Sequence, residues 1–91
     1  MPRPDLFRDA LSFIEKMQPK HARQVLLKII ALCQDPTPPD SKALKDSDEG
    51  YHRVDSGEYR IIYRVVEDVL EVHLVGKRND DEVYRQLKRR S

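Results

Sequence analysis

The first third of the chain repeats apolar residues every three or four positions, which is the spacing of amphipathic helices. The first stripe consists of Phe7, Ala10, Leu11, Ile14 and Met17. The second stripe consists of Ala22, Val25, Leu26, Ile29, Ile30 and Cys33. Asp5 is the candidate N-cap of the first helix, and Pro19 suits the first turn of the second, where no N–H is needed. The pattern predicts two helices whose apolar faces cover a sheet.

A proline-rich loop ends the helical pattern. Residues 35–41 contain Pro36, Pro38 and Pro39, which remove backbone donors and stop the second helix. Residues 41–49 are polar and show no period, so this stretch is predicted to be irregular.

The second half of the chain changes to a period of two, the repeat of a half-buried strand. Strands are predicted near 51–55, 58–66 and 69–76. The apolar positions that share a face are Tyr59, Ile61, Tyr63 and Val65 in the second strand and Leu70, Val72 and Leu74 in the third. Short turns at Ser56-Gly57 and Glu67-Asp68 connect the strands. Turns this short join antiparallel neighbours only.

The turn between the first two strands decides which side chains share a face. If Ser56-Gly57 is a two-residue turn, Arg53 lies opposite Arg60 and Val54 lies in the core. A three-residue turn would reverse both faces, so that His52 would join Arg60 and Arg53 would be buried without a partner. Because burying an unpaired arginine is costly, we predict the two-residue turn.

A third helix is predicted near the C-terminus. Asn79 is its candidate N-cap, and the acidic first turn comprises Asp80, Asp81 and Glu82. Glu82 stands where a capping box places it, and Val83 and Leu87 form the apolar face. These elements predict one α+β domain over residues 1–91. Two N-terminal helices pack on a small twisted antiparallel sheet of three to four strands, and a short C-terminal helix follows.

Composition narrows the class of protein. The formal net charge is +1 although 36% of the residues are charged, so overall charge does not indicate a nucleic-acid partner. The single cysteine, Cys33, excludes an internal disulfide and suits a reducing cytoplasm. No apolar run has the length of a membrane span and no signal peptide opens the chain, so a cytoplasmic location is expected.

The sequence shows no pattern typical of a metal or cofactor site. Its three histidines and its cysteine are scattered, with no pair at ligand spacing. His73 is expected on the exposed face of the sheet, and Cys33 lies on an apolar helix stripe, where thiols are usually unreactive. The three glycines form no phosphate-binding loop. No metal and no cofactor are therefore expected.

Positive charge is concentrated on one sheet face and at the end of the chain. Arg60 and Arg64 lie on the face opposite the apolar positions of their strand. Residues 77–91 contain six basic and three acidic side chains. Such cations are often only solvated, or complement a helix dipole. Guanidinium groups can also bind phosphate oxygens bidentately and stabilise charge that develops during phosphodiester cleavage.

Two segments resemble the RelE/ParE toxin superfamily of type II toxin–antitoxin systems. The segment Gly57-Glu58-Tyr59-Arg60-Ile61-Ile62-Tyr63-Arg64-Val65 is similar to the Gly-acid-Tyr-Arg-x-x-Tyr strand of that superfamily. The segment Val75-Gly76-Lys77-Arg78, followed by Glu82-Val83-Tyr84, resembles the strand end and C-terminal helix of its ribonuclease members. The order of helices and strands agrees too, so the resemblance covers nearly the whole chain from Asp5.

The resemblance implies a RelE-like fold of the microbial-ribonuclease type and an activity as an mRNA interferase. Such a toxin cleaves mRNA in the ribosomal A site, using the 2′-hydroxyl of the RNA as nucleophile and neither metal nor cofactor. The implied partners are a cognate antitoxin, mRNA and the ribosome. A toxin–antitoxin hetero-oligomer that binds operator DNA is also implied, and no membrane.

The resemblance also implies roles for individual residues. Arg60 would hold the scissile phosphate, Arg78 would assist the leaving oxygen, and Tyr84 would stack on or orient a nucleotide. Arg53 fills the first of two basic positions on the preceding strand and would join Arg60 in a phosphate clamp. The further RNA-binding candidates are Lys77, Arg64, His52, Arg85 and Lys88.

Three features depart from the family pattern. Asp55 occupies the second basic position. No histidine stands at a position fixed by the motifs, so a conventional general base is missing. The usual first strand is expected to be absent or reduced to residues 1–4, which would leave a sheet edge for an antitoxin segment to cover.

Two other functions remain open at this point. A toxin of the ParE branch would inhibit DNA gyrase without cutting RNA, although it would not need both Arg78 and Tyr84. A non-catalytic nucleic-acid-binding domain would use the same cations only to hold phosphate.

Overall fold

The computed structural model describes residues 2–45, 49–79 and 82–90, without the side chains of Glu82, Val83, Lys88 and Arg90. The elements in chain order are β1 (Arg3–Leu6), α1 (Arg8–Glu15), α2 (Pro19–Gln34), β2 (Lys42–Ala43), β3 (His52–Ser56), β4 (Tyr59–Val66), β5 (Val69–Lys77) and α3 (Glu82–Arg90). The three predicted strands correspond to β3, β4 and β5, each within one residue at either end. The α+β class is confirmed, and from α1 onward the helix–helix–strands–helix order is as predicted, with β1 added before the first helix.

The strands form one mixed sheet in the order β1-β5-β4-β3-β2. The neighbours β2 to β5 pair antiparallel, as the short turns predicted. β1 pairs parallel with β5, with Arg3 opposite Val69 and Leu6 opposite Val72. The prediction of a purely antiparallel sheet of three to four strands is therefore wrong, because the sheet has five strands and one parallel pair. Of the two alternatives for the first strand, absent or reduced to residues 1–4, the structure has a short strand, which lies at Arg3–Leu6. A parallel pairing is possible here because α1, α2 and three other strands separate β1 from β5 in the sequence.

β1 also changes the start of the first helix. Asp5, the predicted N-cap, lies in β1, and α1 begins at Arg8 with Phe7 at the N-cap position. The Phe7 N–H donates to the Val72 carbonyl oxygen at 2.9 Å, which anchors the chain to the sheet up to the first helical turn. β1 is short, polar and contains Pro4, which an edge strand tolerates. A strand of this kind leaves no period-two pattern in the sequence.

The turn between β3 and β4 lies one residue later than predicted. Gly57 and Glu58 are the turn residues, and Ser56 pairs with Tyr59. Gly57 has a φ of +60°. This is the sign that the first position of a type II′ turn requires, and glycine adopts it without steric cost.

The later turn preserves the predicted faces and changes the partners. Arg53 lies opposite Ile62, and Arg60 lies opposite Asp55. The predicted direct pairing of Arg53 with Arg60 is therefore wrong. Because the register moves by two residues, each side chain keeps its predicted face. Arg53 and Arg60 do share a face, and Val54 is buried in the core.

α1 and α2 pack on one face of the sheet and form the main core. Its buried side chains are Ala10, Ile14, Val25, Ile29, Leu32, Cys33, Val54, Ile61, Tyr63, Leu70, Val72 and Val75. Both predicted helical stripes contribute, although Leu11, Leu26 and Ile30 stay substantially exposed. Burial raises the pKa of the Cys33 thiol, which agrees with the predicted unreactive cysteine.

α3 covers part of the opposite sheet face. Tyr51, Ile62 and Leu74 are buried there, and Tyr84 and Leu87 of α3 pack against them. Apolar side chains are therefore buried on both faces of the sheet.

Asn79, the predicted N-cap, is described but lies three residues before α3 begins at Glu82, so the helix starts later than predicted. Asp80, Asp81 and the Glu82 side chain lie outside the described residues.

A register irregularity interrupts β5 at His73. Ile62 pairs with Leu74, but the next residue, Tyr63, pairs with Val72, which leaves His73 as the extra residue of a bulge. The bulge moves Leu74 off the face of Leu70 and Val72 and into the cluster beneath α3, so the prediction that these three residues share a face is wrong.

His73 keeps its predicted face beside Glu71, but the expectation that it is exposed is wrong. The rings of Phe7 and Tyr51 pack against its ring, with centroids 4.1 and 4.9 Å away, and leave the residue 4% exposed.

Tyr63 fastens the proline-rich loop to the sheet. Its ring is 1% exposed, and its hydroxyl donates to the Pro36 carbonyl oxygen at 2.6 Å. Burial raises the pKa of the Tyr63 hydroxyl, so it stays protonated and able to donate. This bond supplies the loop with a fixed contact to β4.

We predict that Tyr63→Phe lowers the free energy of unfolding by about 1–2 kcal/mol, because a partly buried carbonyl loses its donor. Urea denaturation at neutral pH measures the change. Tyr59→Phe is the matched control, since no hydrogen bond from the Tyr59 hydroxyl is found among the described residues. Equal stability of the two variants would contradict the role given to the Tyr63 hydroxyl.

Candidate functional site

Arg60 and Asp55 form an ion pair across the β3–β4 hairpin. The Arg60 Nε donates to Asp55 Oδ1 at 2.8 Å, and Nη2 donates to Oδ2 at 3.3 Å. The two residues lie directly opposite one another because of the Gly57-Glu58 turn. The Arg60 side chain is only 15% exposed. One edge of the guanidinium therefore meets both carboxylate oxygens, the geometry that fixes an arginine most firmly.

Tyr84 on α3 holds the other end of the Arg60 guanidinium. Arg60 Nη1 donates to the Tyr84 hydroxyl oxygen at 2.7 Å. The guanidinium carbon also lies 5.7 Å from the centre of the Tyr84 ring. Tyr84 is placed there because the helix packs Tyr84 and Leu87 onto the sheet. The hydrogen bond therefore connects α3 to β4.

The charges of two further arginines, Arg53 and Arg78, act on the Asp55 carboxylate. The hydrogen bond from Arg60 lowers the pKa of Asp55 most, and the charges of Arg60, Arg53 and Arg78 lower it further. Arg53 lies on the same strand and face, whereas Arg78 follows β5, where its N–H donates to the Glu58 carbonyl oxygen at 2.9 Å. Asp55 also raises the pKa of Arg60. Both partners are therefore ionised at neutral pH, and the cluster of three arginines with one aspartate is positive.

Arg64 belongs to a separate polar cluster on the same face. Its Nε donates to Glu71 Oε1 at 2.8 Å, its Nη1 lies 3.9 Å from Glu49 Oε2, and its guanidinium carbon lies 5.1 Å from the Tyr51 ring centre. The buried His73 places Nε2 3.0 Å from the same Glu71 oxygen. His73 and Arg64 together lower the pKa of Glu71. Arg64 is thus a structural partner here, which makes it a poor neutral control for substitutions in the Arg60 cluster.

The structure does not bring His52 and Lys77 to the Arg60 face. His52 pairs with Tyr63, their rings lie 5.8 Å apart, and His52 Nδ1 is 3.0 Å from the Gly50 carbonyl oxygen. Lys77 pairs with Tyr59, whose ring packs against the main core. Both side chains therefore belong to the helix-covered face. Arg85 is exposed on α3, and the Lys88 side chain lies outside the described part of the chain.

Lys42 is a cation of this face that sequence reasoning missed. It lies in β2 directly opposite Arg53, and directly opposed residues share a face. The two-residue strand gave no pattern, so the segment was predicted to be irregular. Asp55 was recognised only as a departure from the family. A turn at Gly57-Glu58, had it been predicted, would have placed Asp55 opposite Arg60.

The described residues contain neither a group arranged to bind a metal ion nor a membrane-spanning helix. No group of three or more His, Cys, Asp and Glu side chains is arranged to hold a metal ion within the described ranges. Among the helices described, none is long and apolar enough to cross a membrane.

We predict that Glu71→Gln lowers the free energy of unfolding by about 1–3 kcal/mol at neutral pH, because two hydrogen bonds to a partly buried carboxylate are weakened. The pKa of Glu71 is lowered by folding, so its contribution is complete above the unfolded value near 4.3 and is lost as the pH falls below it. Stability measured from pH 7 to pH 2 should therefore vary less in the variant. Glu15→Gln on α1 is the control, and an identical pH profile of Glu71→Gln and the unsubstituted protein would contradict the assignment.

Solved structures share this fold over nearly their whole length. A double-arginine mutant of the E. coli toxin RelE in the free state matches with a TM-score of 0.80 and 24% identity, covering 98% of this chain and 96% of that chain. The isolated E. coli RelE toxin matches with a TM-score of 0.74 and 24% identity, covering 99% and 98%. The archaeal RelE–RelB complex from Pyrococcus horikoshii OT3 matches with a TM-score of 0.73 and 21% identity, covering 85% and 94%. At these identities the similarity establishes the RelE-like fold.

Sequence comparison gives the family. No curated protein sequence matches this chain. The sequence family described as ParE toxin of type II toxin-antitoxin system, parDE, matches residues 6–82, which is most of the chain. Together with the RelE-like fold, this match shows that the chain belongs to the ParE toxin family, within the RelE/ParE superfamily of type II toxin–antitoxin systems.

Proposed function

We propose that this toxin is an mRNA interferase that cleaves mRNA in the ribosomal A site by attack of the RNA 2′-hydroxyl. The observation that carries the proposal is the Arg60 guanidinium held between Asp55 and Tyr84, with Arg53 on the same face and Arg78 near enough for its charge to act on Asp55. Three guanidinium groups beside one carboxylate leave an excess of positive charge where a phosphodiester can bind. A tyrosine ring next to that charge gives a base a surface on which to stack.

Arg60 holds the scissile phosphate in this proposal. A guanidinium has five N–H donors, and three of them are engaged by Asp55 and Tyr84 among the described residues. The remaining donors are held in a fixed orientation. A preorganised donor stabilises the charge that develops on the phosphate oxygens without reorganising during the reaction.

Arg78 and Arg53 complete the binding of the phosphate group. Arg78 is exposed at the end of β5 and stabilises negative charge on the leaving 5′-oxygen. Arg53 lies on the same face of β3 as Asp55, and in this proposal it contacts a phosphate oxygen next to the cut. Tyr84 is partly buried. In this proposal a base stacks on the accessible part of its ring and is fixed there.

The reaction forms one bond and breaks one. The 2′-oxygen attacks phosphorus and loses its proton to water, while the bond from phosphorus to the 5′-oxygen breaks and the 5′-oxygen takes up a proton from water. The products carry a 2′,3′-cyclic phosphate and a 5′-hydroxyl. Arginine stays protonated at neutral pH and does not accept the 2′-hydroxyl proton. The protein residues therefore act by positioning and charge stabilisation, and the ribosome fixes the geometry of the RNA.

A cognate antitoxin is the protein partner in this proposal. Several structural neighbours are RelE toxins in complex with RelB. By analogy, the antitoxin holds this toxin inactive in the cytoplasm, in a hetero-oligomer that binds operator DNA. β1 already covers the sheet edge that was expected to be open. The edge of β3 beyond its short pairing with β2 is the other edge on which an antitoxin strand could pair.

We predict that Arg60→Ala and Arg78→Ala each slow cleavage of ribosome-bound mRNA by about 10²–10³-fold, the usual effect of losing one charge-stabilising group. Primer extension on purified ribosomes programmed with a defined mRNA measures the rate. Arg23→Ala, an exposed arginine on α2, is the matched control and should cleave at the unsubstituted rate.

Two results would contradict the proposal. Cleavage at the full rate by the Arg60→Ala, Arg78→Ala double variant would remove the arginines from the reaction. A 3′-hydroxyl and a 5′-phosphate at the cut would exclude attack by the 2′-hydroxyl.

We also predict that Arg53→Ala impairs cleavage more than His52→Ala does. Arg53 lies on the Arg60 face, whereas His52 lies on the helix-covered face beside Tyr63. Cleavage rates measured from pH 5.5 to 8.5 test the ranking. The reverse ranking, with activity rising through a pKa near 6.5, would identify His52 as the base.

The family match favours one alternative. Because the matching family is that of ParE toxins, inhibition of DNA gyrase without RNA cleavage is the second candidate function. A supercoiling assay with purified gyrase separates the two. Loss of supercoiling together with intact ribosome-bound mRNA would replace the interferase with a gyrase inhibitor.

A further inference from the structure

Asp55 lies at the centre of the arginine cluster. Its two oxygens accept hydrogen bonds from Arg60 Nε and Nη2, and Arg53 and Arg78 lie close enough for their charges to act on it. Its side chain is 38% exposed, so it borders the space in which a phosphate would bind. The resemblance to the family gives this residue no role, because related toxins place a basic residue here.

We propose that Asp55 is a positioning residue, which holds the Arg60 guanidinium and, through Arg60, the Tyr84 hydroxyl in the arrangement that cleaves RNA. This inference rests on the proposed interferase activity and assigns one more residue to the same site. Asp55 does not take part in bond making or breaking.

The contact geometry explains how one carboxylate positions two other groups. An arginine side chain has several rotatable bonds, and a partner that meets both Nε and Nη2 fixes the plane of the guanidinium as well as its place. With that plane fixed, Nη1 points at Tyr84, 2.7 Å away. The Tyr84 oxygen acts as acceptor in this bond, so its own proton remains available to donate to RNA.

The negative charge of Asp55 weakens the binding of RNA, although the same residue assists the chemical step. A carboxylate beside a phosphate repels it, and in a cluster of three arginines Asp55 offsets part of the attraction for RNA. The same residue therefore speeds the chemical step by orienting Arg60 and weakens the ground-state affinity for RNA. A residue with only a structural role would change the two quantities in the same direction, through the fraction of folded protein.

Asp55→Asn tests the inference because it keeps the size of the side chain and removes its charge and one of its two acceptors. We expect kcat for cleavage of ribosome-bound mRNA to fall by about 10–100-fold, as small misplacements of a catalytic group do. KM should stay the same or fall. The affinity for a short single-stranded RNA, measured by fluorescence anisotropy at two salt concentrations, should rise, with a steeper dependence on salt.

Two variants serve as controls. Asp68→Asn removes a carboxylate in the exposed turn between β4 and β5, away from the cluster, and should leave kcat and RNA affinity unchanged. Asp55→Glu keeps the charge and both acceptors, and should recover part of the lost kcat. Thermal unfolding of each variant, followed by circular dichroism, shows that the compared proteins are folded at the assay temperature.

A readout independent of activity follows the Arg60 side chain itself. In the unsubstituted protein, the Arg60 Nε–H should give an NMR signal that is slow to exchange with water, because this donor is bonded to Asp55. In Asp55→Asn the signal should exchange faster or disappear. Unchanged exchange would overturn the inference.

The kinetic outcomes distinguish this inference from the function on which it rests. An unsubstituted protein that cleaves mRNA, together with an Asp55→Asn variant of unchanged kcat, overturns the positioning role alone. A parallel loss of kcat and RNA affinity in folded Asp55→Asn also overturns it. An unsubstituted protein that cuts no ribosome-bound RNA overturns the interferase proposal, and the positioning role falls with it.

Discussion

The ion pair between Asp55 and Arg60 is the interaction on which the polar face of the sheet depends. It exists because Gly57 adopts a positive φ and closes a two-residue turn, which places these two opposite charges directly across from one another. Arg60 is 15% exposed, and a guanidinium buried to that extent needs partners for its donors. Asp55 and Tyr84 provide them. The same contacts set the orientation of Arg60 and join α3 to the sheet, so the geometry of the site and the position of the last helix have one common cause.

The two faces of the sheet meet different demands. The face beneath α1 and α2 is covered by these helices and contains most of the buried apolar side chains. The other face is divided: a small apolar cluster under α3, a polar cluster around Glu71, and the arginine cluster around Asp55. In the Glu71 cluster the one arginine, Arg64, meets the carboxylates of Glu71 and Glu49. In the Asp55 cluster three arginines meet one carboxylate, and this remaining positive charge is what makes it the candidate site for an anionic substrate.

Family membership and fold do not decide which reaction this chain catalyses; its own side chains do. The fold is shared with RelE toxins at TM-scores of 0.73 to 0.80 among the structures named above, while the sequence family is that of ParE toxins. A fold carries different activities on the same scaffold, and the activity is decided by the site. Here Arg60 donates to Tyr84 and the charge of Arg78 acts on the Asp55 carboxylate, and the proposed ribonuclease activity rests on these groups. Asp55 stands where related toxins carry a basic residue, so this chain achieves the orientation of its central arginine with an internal carboxylate.

The sequence by itself determined the helices, the three long strands, the faces of the first two of those strands and the family. Period and turn length are local properties, and the parity of a strand fixes the face of Arg60 even when the turn is displaced by one residue. Tertiary structure decided what local pattern does not encode. β1 forms because β5 offers it backbone partners, and its polar, proline-containing sequence has no period of its own. His73 is buried because Phe7 and Tyr51 pack against its ring, and Leu74 changes face because a bulge interrupts the alternation of β5. Asp55 became the partner of Arg60, and Lys42 the neighbour of Arg53, because strand pairing joins residues that are distant in sequence, and the register of that pairing depends on the exact turn and on contacts across the whole sheet.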